Sequence, residues 1–273
     1  MPIYRRKPKK ILVSFEERGA QGELVITQEI QQALAEQVGR PVVKSTLSRL
    51  LRRNQWRKVV PRPRNPKSSE EIQEQFKQNF SQEVQSLIAQ HPSIDTRPVI
   101  LMAQDEARFG RISQPKRCWA PKPVRPIVLK EVVREYLWVF AAVCPQLGRL
   151  CALLLPHTNA EMMRLFLTEV SSEFKEYVIL MVLDRAAWHT SSKLTLPENI
   201  RLLPLPPGSP ELNPAEHLWE HLREKELGNR RFETLDLLED SLCEGINRLH
   251  DAPQLVRSLT YFPYFNCQFL NAT

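Results

Sequence analysis

The sequence predicts an α/β fold: a mixed sheet with helices on both faces, preceded by a small basic helical module. Three observations carry this. Two short runs, Pro98-Val-Ile-Leu-Met-Ala-Gln-Asp105 and Tyr177-Val-Ile-Leu-Met-Val-Leu-Asp184, are almost wholly apolar and end on an acid. Such runs read as strands buried on both faces, as in a sheet covered by helices on either side. Around them lie stretches with apolar residues at helical spacing, the layered pattern of an α/β domain. The charge is also lopsided: residues 1–67 hold 16 Lys or Arg against five Glu, and the remainder holds 22 basic against 26 acidic residues. The net charge of +7 therefore comes entirely from the first quarter of the chain. A basic end joined to a slightly acidic core is the footprint of a nucleic-acid-binding arm; a solvated basic tail is the alternative.

Periodicity argues for structure within that arm. Thr27 is a candidate N-cap for a helix carrying Ile30, Leu34 and Val38 on one face, and Gly39-Arg-Pro41 stops it. A second helix is expected from Ser45 to Asn54, burying Leu47, Leu50 and Leu51. Helix, glycine turn and a second helix bearing cations form the helix-turn-helix pattern. Gln55 to Val60 would supply the strand of a small wing. The expected DNA-contacting residues are Lys44, Ser48, Arg49, Arg52, Arg53, Arg57 and Lys58, with Arg62 and Arg64 beyond them. The expected organisation is a DNA-binding domain over 1–60, a basic proline-rich linker over 61–69, a connecting helix within 70–97 and the main domain over 98–273. Ser69 would cap the connecting helix, whose buried face is Ile72, Phe76, Phe80, Val84, Leu87 and Ile88.

In the main domain the first strand is expected from Val99 to Glu106. A hairpin follows, Glu135 to Val143 and Arg149 to Leu155, turning on Pro-Gln-Leu-Gly. An amphipathic helix from Glu161 to Phe174 crosses to the Tyr177 strand, which should run parallel to the first. A short strand from Asn199 to Leu205 precedes a helix opened by Asn213-Pro-Ala-Glu216, and another helix spans Phe232 to His250. The aromatic segment Tyr261-Phe-Pro-Tyr-Phe265 could dock on this core or on a second subunit.

The candidate chemistry lies in three acids. Asp105 and Asp184 fall where strands end, the edge at which open α/β sheets hold ligands. Glu216 sits at N3 of its helix, where its bland role is a capping box back to Asn213. Together the three would form an oxygen-rich cluster suited to Mg²⁺ or Mn²⁺.

Gln104-Asp105-Glu106-Ala-Arg-Phe-Gly110, Leu183-Asp184-Arg-Ala-Ala-Trp-His189 and Leu205-Pro-Pro-Gly-Ser-Pro-Glu-Leu-Asn-Pro-Ala-Glu216-His-Leu-Trp219 occur in that order. They resemble the three acidic motifs of the DDE transposases of bacterial insertion sequences, on the mariner-like branch. The resemblance is strong over roughly 98–227 and implies an RNase H-like catalytic core. It makes Asp105, Asp184 and Glu216 the catalytic, metal-binding triad holding Mg²⁺ or Mn²⁺, with two ions per site. It also implies cleavage at element ends and strand transfer, DNA partners (terminal inverted repeats and target DNA) and a homodimer on DNA. The alternatives are a non-catalytic helix-turn-helix remnant and an RNase H-like nuclease without strand transfer. The chain departs from the family pattern at Arg185, where many relatives carry Asn, and at Gly208, where many carry an aromatic.

Glu106 alternates to the opposite strand face and can only support the site from behind. His189 and His217 neighbour the acids in sequence, although a lone His is more often structural. Arg108 and Arg111 are candidates for DNA phosphate or for balancing the acids, and Trp119 for core or base stacking. The five cysteines show no Cys-x-x-Cys spacing and are expected to be buried thiols. With eight glycines and no phosphate loop, an NTP-binding mechanism has no support. No stretch approaches the ~18 apolar residues of a membrane span, so the expected setting is cytoplasmic and nucleoid-associated.

Overall fold

The computed structural model describes residues 8–21, 23–59, 66, 68–90, 96–112, 120–121, 126–127, 133–191 and 194–265. The chain divides into two compact units, Met1–Pro63 and Arg64–Thr273.

Among the described residues the first unit forms three helices: α1 (Pro8–Ala20), α2 (Thr27–Val38) and α3 (Lys44–Arg53). Leu12 and Phe15 of α1, Ile30 and Leu34 of α2 and Leu47 of α3 make its core. The sequence reading missed α1, although Ile11, Leu12 and Phe15 carry its buried stripe. Gly39 ends α2 in the left-handed region (φ 69), where its N–H and that of Arg40 satisfy carbonyls of the last turn. Thr27 is inside α2 rather than its cap, which is Ile26 without a side-chain bond. The expected wing strand is not formed among the described residues. Gln55 turns through φ 65, Trp56 N–H bonds back to Leu51 O, and Trp56 to Val59 join no ladder. The left-handed turn redirects the chain into the small core, where Trp56 is partly buried, instead of extending it.

The second unit opens with α4 (Glu70–Ala89), whose first turn is capped by the Ser69 hydroxyl. Phe76, Phe80 and Val84 are buried as expected, but Ile72 is half exposed and Gln73 takes the buried position in that turn. The sheet has the order β3-β2-β1-β4-β5. Its strands are β1 (Val99–Gly110), β2 (Tyr136–Cys144), β3 (Arg149–Leu155), β4 (Val178–Leu183) and β5 (Ile200–Pro204). β2 and β3 run antiparallel beside β1, and β4 and β5 run parallel to it. This is the mixed RNase H-like sheet expected, with α5 (Ala160–Glu173) as the crossover between β3 and β4.

Strand alternation sorts β1 between two cores. Leu101, Ala103, Ala107 and Phe109 face a cluster shared with α4 and with helices α6 (Glu216–His221), α7 (Leu235–His250) and α8 (Pro253–Thr260). Ile100 and Met102 face α5. The aromatic tail is docked: Phe265 stacks on Phe80, and Tyr264 meets Phe76 and Phe80 edge-on. Cys144 and Cys151 are buried free thiols, whereas Cys243 is exposed, against expectation; Cys118 and Cys267 lie outside the described residues. Among the described residues no helix is long and apolar enough to cross a membrane.

Candidate active site

Each candidate acid reaches the site by a different route. β1 does not end at Glu106 as expected. It continues to Gly110 against β2, and what ends near Asp105 is its pairing with β4. The parallel register Ala103↔Val182, carried on two residues, sets Asp105 beside Asp184. Both acids share the parity of Leu101, Leu180 and Val182, so both belong to the α6 side of the sheet.

Glu216 arrives on the loop Pro206–Asn213. The expected capping box does not form. Asn213 Oδ1 instead accepts from Ala215 N–H, its Nδ2 donates to Gln104 O beside Asp105, and the α-helix starts at Glu216, with Ala215 in the cap position. A 3₁₀ turn, Pro210–Leu212, uses the residues before it and displaces the helix start. Freed from capping, the Glu216 carboxylate makes no hydrogen bond or ion pair among the described residues. Asp105, Asp184 and Glu216 then line one cleft of about 400 Å³ with Arg185, Leu205 to Pro210 and Asn213.

The electrostatics are those of crowded acids that their neighbours compensate unequally. Burial first, and the charge of Glu216 second, push the Asp105 carboxyl up to about 8, against the Trp219 hydrogen bond. Burial raises Glu216 too; the charges of Glu220 and Asp184 add to this, and Arg223 opposes it. Asp184 goes the other way: the hydrogen bond from His189 holds it below the usual carboxylate range. Burial works against charge on His189, but its bonds to Asp184 and Glu106 win, and its pKa rises to about 9.

Trp219, one turn after Glu216, is a site residue the sequence reading passed over. Its Nε1–H donates to Asp105 Oδ2 at 2.7 Å while its ring packs edge-on against Phe109. The i, i+3 spacing from Glu216 was the available signal. Glu106 and His189 are joined to Asp184 from behind, as described below. His217 is structural: Nδ1 bonds Leu259 O at 2.7 Å and the ring packs on Phe262. Arg111 pairs with Glu135 at 2.5 Å and bonds Phe232 O, so it is committed to structure. Arg108 lies over the Tyr136 ring, in a larger cleft of about 800 Å³ that contains none of the three acids.

Both family departures have local explanations. Arg185 Nε donates to Leu205 O, tying the turn after β4 to the end of β5. Gly208 has φ 64, a conformation that disfavours an aromatic residue.

In the first unit Lys44, Ser48, Arg49, Arg52, Arg53, Arg57 and Lys58 are all exposed, the first five on α3 and the last two just beyond it. Arg62, Arg64 and Trp119 lie outside the described residues.

Residues 100–239, just over half of the chain, match the family model described as DDE superfamily endonuclease. The chain belongs to the DDE superfamily endonuclease family. Residues 21–80 match a winged helix-turn helix model. An uncharacterized protein, y4pE/y4sA of Sinorhizobium fredii, is 38% identical over 125 residues, covering 45% of this endonuclease and 93% of the relative. Among solved structures, a Mos1 transposase paired-end complex with left transposon end matches with TM-score 0.61 and 18% identity, over 97% of this chain and 82% of that one. The Mos1 strand transfer complex matches with TM-score 0.60 and 16% identity, over 96% and 80%. At such identities these structures are relatives in fold.

Proposed function

We propose that this endonuclease is a transposase that cuts DNA at the ends of an insertion sequence and joins the freed 3′ end to target DNA. The observation that carries the reading is the convergence of Asp105, Asp184 and Glu216 from β1, β4 and α6 on one cleft. These three are the proposed catalytic residues and metal ligands. Two of the structures it resembles are Mos1 paired-end complexes, one with Mn and one with Mg.

The donor set fits a hard divalent cation: three carboxylates, with Asp105 and Glu216 both disfavoured as anions by burial and by neighbouring acids. No three His, Cys, Asp or Glu side chains among the described residues are gathered tightly enough to hold an ion as they stand. Asp105 is turned to Trp219 and Asp184 to His189. When bound, two Mg²⁺ or Mn²⁺ ions supply the positive charge that activates a water and stabilises the leaving oxygen of a phosphodiester. The chain's own residues orient the donors. Trp219 fixes one oxygen of Asp105, His189 fixes one of Asp184, and Asn213 anchors the Glu216 loop to β1.

The exposed cations of α3, with Arg57 and Lys58 after it, are proposed to hold the terminal inverted repeats through phosphate contacts, together with Arg62 and Arg64 of the linker. We assign the working form as a homodimer on DNA, acting in the cytoplasm on the nucleoid. Incubating the full chain with DNA carrying the gene's flanking repeats, with and without Mg²⁺, tests the whole reading. Mg²⁺-dependent nicking at repeat ends, followed by joined products, is the expected result. Binding without cleavage would leave a DNA-binding remnant, and cleavage without joining would leave a nuclease.

A further inference from the structure

The residue after Asp105 points the other way and still reaches the site. Glu106 lies on the α5 side of β1, with its side chain only 4% exposed. Its Oε1 receives three donors: Gln104 Nε2 at 3.0 Å, Trp188 Nε1 at 3.1 Å and His189 Nε2 at 2.9 Å. His189, 2% exposed, places its other ring nitrogen 2.8 Å from Asp184 Oδ1 and 3.1 Å from Asp184 O. With a carboxylate oxygen facing each ring nitrogen, the imidazole donates in both directions. A continuous chain of contacts, Glu106 to His189 to Asp184, thus passes from the back of the sheet to the cleft.

Asp184 is the acid that needs such support. Its side chain is 58% exposed just past the end of β4, so packing alone does little to select a rotamer. His189 Nδ1 lies 2.8 Å from Oδ1 and the Ala186 N–H donates to it, which draws that oxygen toward the turn and leaves Oδ2 for a ligand in the cleft. Trp188 and His189 lie in the turn that follows Asp184, and both fold back onto Glu106. One buried carboxylate therefore holds the whole turn. Fold stability alone is a poor account of this arrangement. Buried charge pairs rarely outperform apolar packing, and the network leaves Gln104 Oε1 without a hydrogen-bond partner among the described residues.

We propose that Glu106 and His189 are positioning residues that orient Asp184 for the divalent cation, so that β1 serves the site twice: directly through Asp105 and indirectly through Glu106. The proposal rests on the transposase reading given above. Outer-shell partners of metal ligands set ligand direction, and their loss typically weakens metal binding by roughly 10–100-fold.

The test is a Mn²⁺ titration of the full-length metal-free protein, following the paramagnetic resonance signal of free aqueous Mn²⁺. Parent, Asp184→Asn, Glu106→Gln and His189→Gln would be compared, each with a melting curve recorded without metal. Glu106→Gln preserves size and shape, so it decides the matter if His189→Gln does not fold. Both positioning variants should bind Mn²⁺ more weakly by roughly 10–100-fold. In nicking assays the half-saturating Mn²⁺ concentration should rise by a similar factor, while the rate at saturating metal falls much less. A merely structural role would lower the melting temperature and leave the metal dependence alone. If Glu106→Gln and a folded His189→Gln titrate like the parent while Asp184→Asn has lost binding, the positioning role is overturned and the transposase reading stands. If the parent shows no Mn²⁺ binding that Asp184→Asn weakens, both fail together.

Discussion

The three-helix unit and the acidic cleft hold their functional residues in opposite ways. On and just after α3, the seven side chains expected to contact DNA between Lys44 and Lys58 all stand exposed. In the cleft, Asp105 is largely buried and tied to Trp219, and even the exposed Asp184 is tied to a buried histidine. Exposed cations act through a summed field, so each can be removed at modest cost. A cluster of acids acts through geometry, and the loss of one member is close to the loss of all. The difference teaches where a substitution should be silent and where it should be decisive.

The strongest break is in the cleft. Glu216→Gln removes a negative donor from a side chain with no partner among the described residues. Repeat-end nicking in Mg²⁺ should therefore fall by orders of magnitude, while stability shifts by about 1 kcal/mol or less. A variant that melts like the parent and nicks at its rate would make Glu216 structural, with Glu220 as the nearest replacement. The matching break in the first unit is graded. Replacing Arg49, Arg52 and Arg53 together with Ala should remove most repeat affinity. It should also flatten the slope of log affinity against log salt by about 0.9 for each DNA phosphate no longer neutralised. Each single replacement should do roughly a third of this, which a set of binding isotherms at several salt concentrations would reveal.

A pH series sharpens the contrast. Asp105 holds its proton up to about 8 in the folded metal-free protein, against 3.8 ordinarily, chiefly through burial. Between those values the native state binds more protons than the unfolded chain, so stability falls as pH rises through the window. Asp105→Asn should flatten that slope in urea melts recorded from pH 4 to 9, whereas the α3 substitutions should leave it unchanged. The smallest effect belongs to Trp219→Phe. It keeps an aromatic ring against Phe109 but removes the donor to Asp105, at a cost of about 1–3 kcal/mol.

What the sequence revealed follows the same divide between local pattern and tertiary contact. β4 could be read nearly to the residue because an unbroken apolar run buried on both faces has few other uses. The hairpin could be read because Gly148 marks its turn, at φ 66. Asp105 was found, yet β1 ran on past it, because Ala107 and Phe109 are held by β2, a partner about 30 residues away that no local signal announces. The cap at Asn213 was misplaced for a similar reason: its amide is engaged by Gln104, on a strand 109 residues earlier. The wing strand is not formed among the described residues up to Val59, where Gln55 takes a left-handed turn that its identity does not foretell. Likewise Glu106 faced the wrong way by alternation, and only His189, folded back from another strand, connects it to the cleft.

The loop that delivers Glu216 carries Pro206, Pro207 and Pro210, with Pro214 just after it. It is also clamped from outside. Gln73 Nε2 donates to Ser209 Oγ and Glu211 Oε1, and the Tyr264 hydroxyl bonds Leu212 O. Proline removes conformational freedom from the chain even when it is unfolded. The entropy of ordering this segment is therefore largely settled before any ligand arrives. An ion entering the cleft meets the Glu216 backbone already in place, and its binding free energy goes into turning side chains rather than freezing a loop.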